Sequence, residues 1–196
     1  LFSTLTTRCQ LIENGGFEYM NGNCAFISNG NCVHGIYNGA AGVSWIASQG
    51  SPDINVQSSS RTNQPEFYPR NGKYMAKMLH SYEPNRCLTE SMICNVSMEK
   101  EEEYRLKLYY RSISEGSVSL EIWATNSVEN ISPDPGATVS PCNRNLPAEL
   151  TFLGVITGIE YTTDWIEYVL DFQLDKSFQQ LWFRPAQGSG NRASTL

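Results

Sequence analysis

The stretch Tyr104-Arg105-Leu106-Lys107-Leu108-Tyr109-Tyr110-Arg111-Ser112-Ile113 alternates with a period of two. Tyr104, Leu106, Leu108 and Tyr110 fall on one face of an extended chain, and Arg105, Lys107, Tyr109 and Arg111 on the other. Such alternation marks a strand with one face on a core and the other toward water. The segment 118–124 repeats the pattern, with Val118, Leu120 and Ile122 inward and Ser119, Glu121 and Trp123 outward. Working outward, 73–80, 88–98, 149–156, 165–174 and 180–184 read as further strands, preceded by a short one around Leu11-Ile12. Residues 19–72 and 127–148 are dominated by Asn, Gly, Ser and Pro and read as long loops, the first with only short apolar runs such as 43–47. Long ordered loops tend to carry function. About eight strands with irregular connections, and no helix longer than a turn or two, predict an all-β chain: an antiparallel β-sandwich of jelly-roll type. Residues 1–8 read as a linker or N-terminal arm and 9–196 as a single domain.

Composition agrees. Ser, Thr, Asn and Gly supply 64 of the 196 residues, so polarity comes from hydroxyls, amides and turn formers, which disfavours a helical bundle. Charged residues are 17% of the chain, with 14 Lys and Arg against 20 Asp and Glu. A net charge of −6 argues against nucleic acid, whose phosphates require a basic footprint. No apolar run reaches the roughly 20 residues of a membrane span.

The six cysteines are Cys9, Cys24, Cys32, Cys87, Cys94 and Cys142. Six permit 15 connectivities. Two pairs enclose short turn-rich intervals, so the reading is a disulfide-stapled fold with pairs 24–32, 87–94 and 9–142. The alternatives are free structural thiols or a metal site, although no C-x2-C spacing occurs. Disulfides imply export from the cytoplasm. Asn95-Val96-Ser97 and Asn130-Ile131-Ser132 are glycosylation sequons, which matter only in a eukaryotic secretory host.

Three segments in order carry a resemblance. The first is Leu11-Ile12-Glu13-Asn14-Gly15-Gly16-Phe17-Glu18, followed by Trp45 and Gly50-Ser51-Pro52-Asp53. The second is Asn71-Gly72-Lys73-Tyr74-Met75-Ala76, then Glu103-Tyr104-Arg105-Leu106-Lys107-Leu108-Tyr109-Tyr110. The third is Thr163-Asp164-Trp165-Ile166-Glu167-Tyr168 to Phe172, then Leu181-Trp182-Phe183. Together, over residues 9–196, they resemble the galactose-binding-like jelly rolls, which include carbohydrate-binding modules and domains of secreted Bacteroidetes-type surface proteins. The resemblance implies a structural calcium, with Glu18 giving a side-chain oxygen and Lys73 a backbone carbonyl. The bland alternative is that Gly15-Gly16 serves a tight turn and Glu18 is solvated. Such domains usually close with a strand carrying an acidic pair. Here Ser194-Thr195-Leu196 stands where that strand would begin, so the expectation is an edge that lacks its closing strand and accepts one from a partner, unless residues 1–8 fill the slot.

The candidate ligand site rests on outward aromatics. If the strands at 104–113 and 118–124 form a hairpin through a loop at 114–116, Lys107 stands beside Trp123 and Tyr109 beside Glu121. Tyr109, Trp123, Glu121, Lys107 and Arg111 would then form a shallow platform, the rings for a sugar's C–H face and the charged groups for its hydroxyls. The competing reading has Trp123 covered by the loop at 127–148. Trp45 with Asp53 is a second possible site, against which stands a Trp45 that plugs the sandwich end. Catalysis has little support: no Gly-x-Ser-x-Gly or His-Glu-x-x-His occurs, and the run Glu99 to Glu103 reads as a solvated turn. The expected function is a non-catalytic binding module of a secreted or cell-surface protein, most readily for carbohydrate. The alternative is a structural or adhesin module engaging a protein partner.

Overall fold

The computed structural model describes Ile12, Gly15, Phe17 and residues 27–28, 31–35, 45–49, 53–56, 68–72, 74–78, 80–83, 86–112, 118–126, 149–186 and 194–195. Among these there is no helix, and the strands pair antiparallel. The strands are β1 (Ile27–Ser28), β2 (Asn31–Gly35), β3 (Trp45–Gln49), β4 (Asp53–Val56), β5 (Tyr74–Met78), β6 (His80–Glu83) and β7 (Arg86–Thr89). They continue with β8 (Ser91–Met98), β9 (Glu103–Tyr110), β10 (Val118–Thr125), β11 (Leu150–Ile159), β12 (Ile166–Gln173), β13 (Phe178–Pro185) and β14 (Ser194–Thr195).

One layer of the sandwich is a five-stranded sheet in the order β11-β10-β13-β8-β3. Facing it are the two-stranded sheet β12-β9 and, through β5, a second five-stranded sheet β1-β2-β4-β5-β14; β6 and β7 form a separate hairpin. The core between the layers follows from alternation. Met92, Cys94, Val96 and Met98 of β8, Leu120, Ile122 and Ala124 of β10, and Leu181 and Phe183 of β13 point inward. They meet Leu106, with Tyr104, Leu108, Tyr110, Tyr168, Leu170 and Phe172, from the opposite layer, and Ala76 and Met78 from β5. The inward residues are removed from water, at roughly 1.5–3 kcal/mol for each fully buried large apolar side chain. The layers approach closely at Gly154. A Cβ built there would stand 3.0 Å from Tyr168 Oη and 3.1 Å from Leu170 Cδ2.

The expected strands at 73–80, 88–98, 104–113, 118–124, 149–156, 165–174 and 180–184 all contain strands of the structure. Two readings are corrected. The region 19–72 is not all loop, because β1 to β4 lie in it and pair into the sheets. These strands are only two to five residues long, too short for alternation to register in the sequence, and pairing with neighbours makes them strands. Nor do β9 and β10 form a hairpin. β9 pairs with β12, and β10 lies between β11 and β13 in the opposite layer. Period-two alternation assigns faces but not partners. The strand expected to begin at Ser194 is present as β14, paired with β5 at Ser194↔Met78 and Thr195↔Lys77.

One end of the sandwich is held by two crossovers side by side, β8 to β9 and β12 to β13. The acidic run is a turn, as expected. Glu101 N donates to Leu174 O at 2.9 Å, Lys100 N to Ser177 Oγ at 3.0 Å, and Gln173 Nε2 to Glu101 O at 2.7 Å. Glu101 adopts φ 66°, a left-handed conformation in a residue with a side chain.

Candidate functional site on the outer sheet face

The alternation that buries Leu120, Ile122 and Ala124 sends Glu121, Trp123 and Thr125 to the outside of the five-stranded sheet. A β-bulge then decides what stands beside Trp123. Ile122 pairs with Gly154 but Trp123 with Phe152, so Leu153 is the extra residue of β11. The bulge turns Phe152 to the outer face, although strict alternation would place it with inward Gly154. The result is a cross-strand row, Phe152–Trp123–Trp182–Ile93, running over four strands. Phe152 is 50% exposed and meets Trp123 edge-on at 5.0 Å, while Trp182 and Ile93 are buried. Trp182 is fixed from below: its Nε1 donates to Ser48 Oγ at 2.9 Å, and Ser48 shares a 2.6 Å hydrogen bond with Ser91.

The adjacent row holds the charges. Glu121 and Arg184 are direct cross-strand partners, joined by Arg184 Nε to Glu121 Oε2 at 3.2 Å. The same oxygen accepts from Trp123 Nε1 at 3.1 Å. The Arg184 guanidinium also stands 5.1 Å from the Trp182 ring centroid. Both charged side chains are largely covered, and burial lowers the Arg184 pKa while the Glu121 charge works the other way. This face therefore has an aromatic row flanked by a desolvated, hydrogen-bonded ion pair.

The expected platform is divided between the two outer faces of the sandwich. Trp123 and Glu121 stand as described. Lys107 and Tyr109 belong to β9, on the outside of the opposite layer, and Arg111 follows just beyond its end. There Lys107 Nζ bridges Glu167 Oε2 at 2.7 Å, the Tyr109 hydroxyl donates to the same carboxylate, and Arg70 covers the Tyr109 ring at 3.5 Å. The Lys107 and Tyr109 hydrogen bonds hold the Glu167 carboxyl below the usual range, and the Glu167 bond raises the Lys107 ammonium. Arg105 and Asp171 form a two-bond pair at 2.6 and 2.7 Å. Arg111 is not on a platform. It is 1% exposed, with its guanidinium 4.6 Å from the Trp165 ring centroid and Nη1 donating to Thr163 O at 3.3 Å. Trp165 is tied down through Nε1 to Tyr68 O.

Trp45 is the plug, not a binding surface: it is buried between Phe17, at 4.7 Å, and Phe183, at 5.9 Å. Phe17 reaches it with φ 59°, and Gly15 lies in a turn. Trp45 and Asp53 belong to different sheets, and the Asp53 side chain lies outside the described residues. So do Glu18 and Lys73, the expected calcium ligands. The described residues contain no group of three His, Cys, Asp or Glu able to hold a metal. The Cys87–Cys94 bridge is not formed. Cys94 is a free thiol on the inner face of β8, whereas Cys87 belongs to the separate β6–β7 hairpin, and burial pushes the Cys94 pKa up to about 12. Cys9, Cys24 and Cys142 lie outside the described residues, as does the side chain of Cys32. The sequon at Asn95 sits mid-strand with its Oδ1 accepting from Gln180 Nε2 at 3.2 Å, and Asn130 is outside the described set. His34 and His80 have strand backbones but no described side chains. No helix among the described residues is long and apolar enough to cross a membrane.

Phe152, Trp182 and Arg184 were absent from the expected site. Alternation in 180–184 already carried a signal for two of them, since Trp182 and Arg184 take the positions opposite Leu181 and Phe183. Phe152 depends on the bulge and left no such trace.

No family model matches the chain, and no curated protein does. Several solved structures are similar. The K2 cleaved adhesin domain of Lys-gingipain aligns with 84% of this chain and 96% of its own at 10% identity and a TM-score of 0.47. A family 16 carbohydrate-binding module aligns with 72% of this chain and 79% of its own, at 11% identity and 0.41. A carbohydrate-binding module solved with β-1,4-galactotriose aligns with 77% and 83%, at 9% identity and 0.34. Carbohydrate-binding modules and an adhesin domain are thus both among the similar structures. At this distance the likeness is one of outline and transfers no residue role.

Proposed function

We propose that the chain is a non-catalytic binding module of a secreted or cell-surface protein, and that it takes carbohydrate on the outer face of β10, β11 and β13. The observation that carries this reading is the half-exposed Phe152 edge-on to Trp123, one row from the Glu121–Arg184 pair. Sugars offer an apolar C–H face and a rim of hydroxyls, and an aromatic row beside a fixed donor and acceptor set matches both. The Ser48–Ser91 pair and the Trp182 indole hold the row in place before any ligand arrives, so little ordering is required on binding. No bond is broken in this scheme; Glu121 acts as a hydrogen-bonding group, with one oxygen committed to Trp123 and Arg184.

The test is affinity electrophoresis and calorimetry against a panel of soluble polysaccharides, with Trp123→Ala, Phe152→Ala and Tyr109→Ala. Trp123→Ala and Phe152→Ala are expected to weaken binding at least tenfold, and Tyr109→Ala to leave it unchanged because it lies on the opposite outer face. If Tyr109→Ala abolishes binding and Trp123→Ala does not, the site is on the other layer. If the wild-type chain binds no polysaccharide, the carbohydrate reading fails and a protein partner takes its place.

A further inference from the structure

We infer that the site selects neutral saccharides presenting two adjacent free hydroxyls, and that the Glu121–Arg184 pair is the element that reads them. This rests on the carbohydrate reading of the face and deepens it.

The geometry is specific. Arg184 is held by one nitrogen, Nε, against Glu121 Oε2, and its guanidinium stands 5.1 Å from the Trp182 ring centroid. Among the described residues, Nη1 and Nη2 make no hydrogen bond to protein. They form the forked edge of a planar group whose orientation is already set. Glu121 is arranged in the complementary sense. Oε2 is shared by Trp123 Nε1 and Arg184 Nε, and Oε1 makes no hydrogen bond among the described residues. The pair thus offers the Nη donors and the Oε1 acceptor on the row next to Trp123 and Phe152.

A hydroxyl both donates and accepts, so two adjacent hydroxyls can accept from the Nη pair while one of them donates to Glu121 Oε1. A carboxylate or sulfate can only accept. It would meet the Arg184 fork but also the uncompensated Oε1 lone pairs, in a largely covered site where like charges are poorly screened. Because Glu121 already neutralises Arg184, the pair has no net charge with which to attract an anion. A site that hydrogen-bonds hydroxyls also rejects analogues lacking them, since its buried polar groups are left unsatisfied.

The experiment measures binding of the wild-type chain to neutral β-glucan, galactan, mannan and xylan, and to polygalacturonate, alginate and dextran sulfate. It adds an O-methylated form of whichever neutral oligosaccharide binds. The variants are Trp123→Ala, Glu121→Gln and Arg184→Lys, each with a thermal melt to confirm folding. The inference expects binding to a neutral member and at least tenfold weaker binding to the anionic ones and to the methylated ligand. Arg184→Lys keeps the charge but loses the fork and should weaken neutral binding about tenfold. Glu121→Gln removes the negative charge and should narrow the preference against polygalacturonate. If an anionic polysaccharide binds as well as any neutral one while Trp123→Ala still abolishes binding, the inference is overturned and the carbohydrate reading stands. Tolerance of O-methylation, or an Arg184→Lys variant that binds like wild type, overturns it as well. If Trp123→Ala changes nothing, both fall.

Discussion

Placing one methyl group at Gly154 tests how closely the two layers are held. The Cβ of Gly154→Ala would lie 3.0 Å from Tyr168 Oη and 3.1 and 3.2 Å from the two Leu170 methyls. Unstrained contacts for such atoms lie nearer 3.5–4.0 Å, so the Tyr168 and Leu170 side-chain ends must give by a few tenths of an ångström. Two effects oppose each other. Replacing Gly by Ala in a strand recovers about 0.5–1 kcal/mol of backbone entropy. Overpacking a filled interface costs about 1–3 kcal/mol. Three contacts from two residues on one paired strand leave little room for a single side-chain adjustment, so the second effect wins. We expect Gly154→Ala to lose about 1 kcal/mol and Gly154→Val, with two further methyls, at least about 3 kcal/mol. Urea denaturation followed by tryptophan fluorescence measures both. The pairwise origin is tested by Gly154→Ala combined with Tyr168→Phe, which removes the nearest atom and should recover part of the loss. A Gly154→Ala variant as stable as wild type, or a Tyr168→Phe background that recovers nothing, would show that the layers do not meet there as described.

Other consequences are open to direct measurement. Glu101 holds φ 66°, so Glu101→Gly should stabilise by about 0.5–1 kcal/mol and Glu101→Val should destabilise, read by thermal melts. The Glu167 carboxyl is held below its ordinary value by Lys107 and Tyr109, so the folded state binds fewer protons there than the unfolded state. Its contribution to stability is present above the unfolded carboxylate value of about 4.3 and is lost as pH falls through the lower folded value. Glu167→Gln should therefore flatten the acid limb of a melting-temperature profile, and an unchanged limb would contradict the assignment. Cys94, with its pKa pushed up to about 12 by burial, should resist a thiol-labelling reagent at pH 8 in the native state and react on unfolding; rapid native labelling at Cys94 would refute its placement.

β9, β10 and β12 could be read because each carries a run of apolar and polar alternation, as in Leu106-Lys107-Leu108-Tyr109. The faces of β9 followed from the same pattern, and Trp123 and Glu121 were correctly turned outward. Pairing was not legible: Lys107 and Trp123 are both outward, but outward from opposite layers. Whether a five-residue link turns back or crosses depends on which neighbour completes the core, and that is decided by chain segments far away. β1 to β4 were hidden for a different reason, because strands such as Asp53-Ile54-Asn55-Val56 carry too few apolar residues to stand out from loop composition. Phe152 was hidden by the Leu153 bulge, which breaks the rule used to assign faces. Of the five expected platform residues, Trp123 and Glu121 share one outer face, where Arg184 and Phe152 stand beside them.

The position of β13 has a consequence for synthesis. It lies between β10 and β8, joining the β11-β10 pair to the β8-β3 pair. Every other strand of that sheet emerges from the ribosome before it. Until residues 178–185 are available, β10 and β8 each present an unpaired edge flanked by exposed core residues such as Ile122 and Met92. Unpaired edges beside apolar surface invite pairing with other chains. If the two pairs form before residues 178–185 emerge, they stand as two open half-sheets that a single strand must close by inserting between them. Yield would then respond to chaperone holding before β13 is made more than to the stability of the finished sandwich.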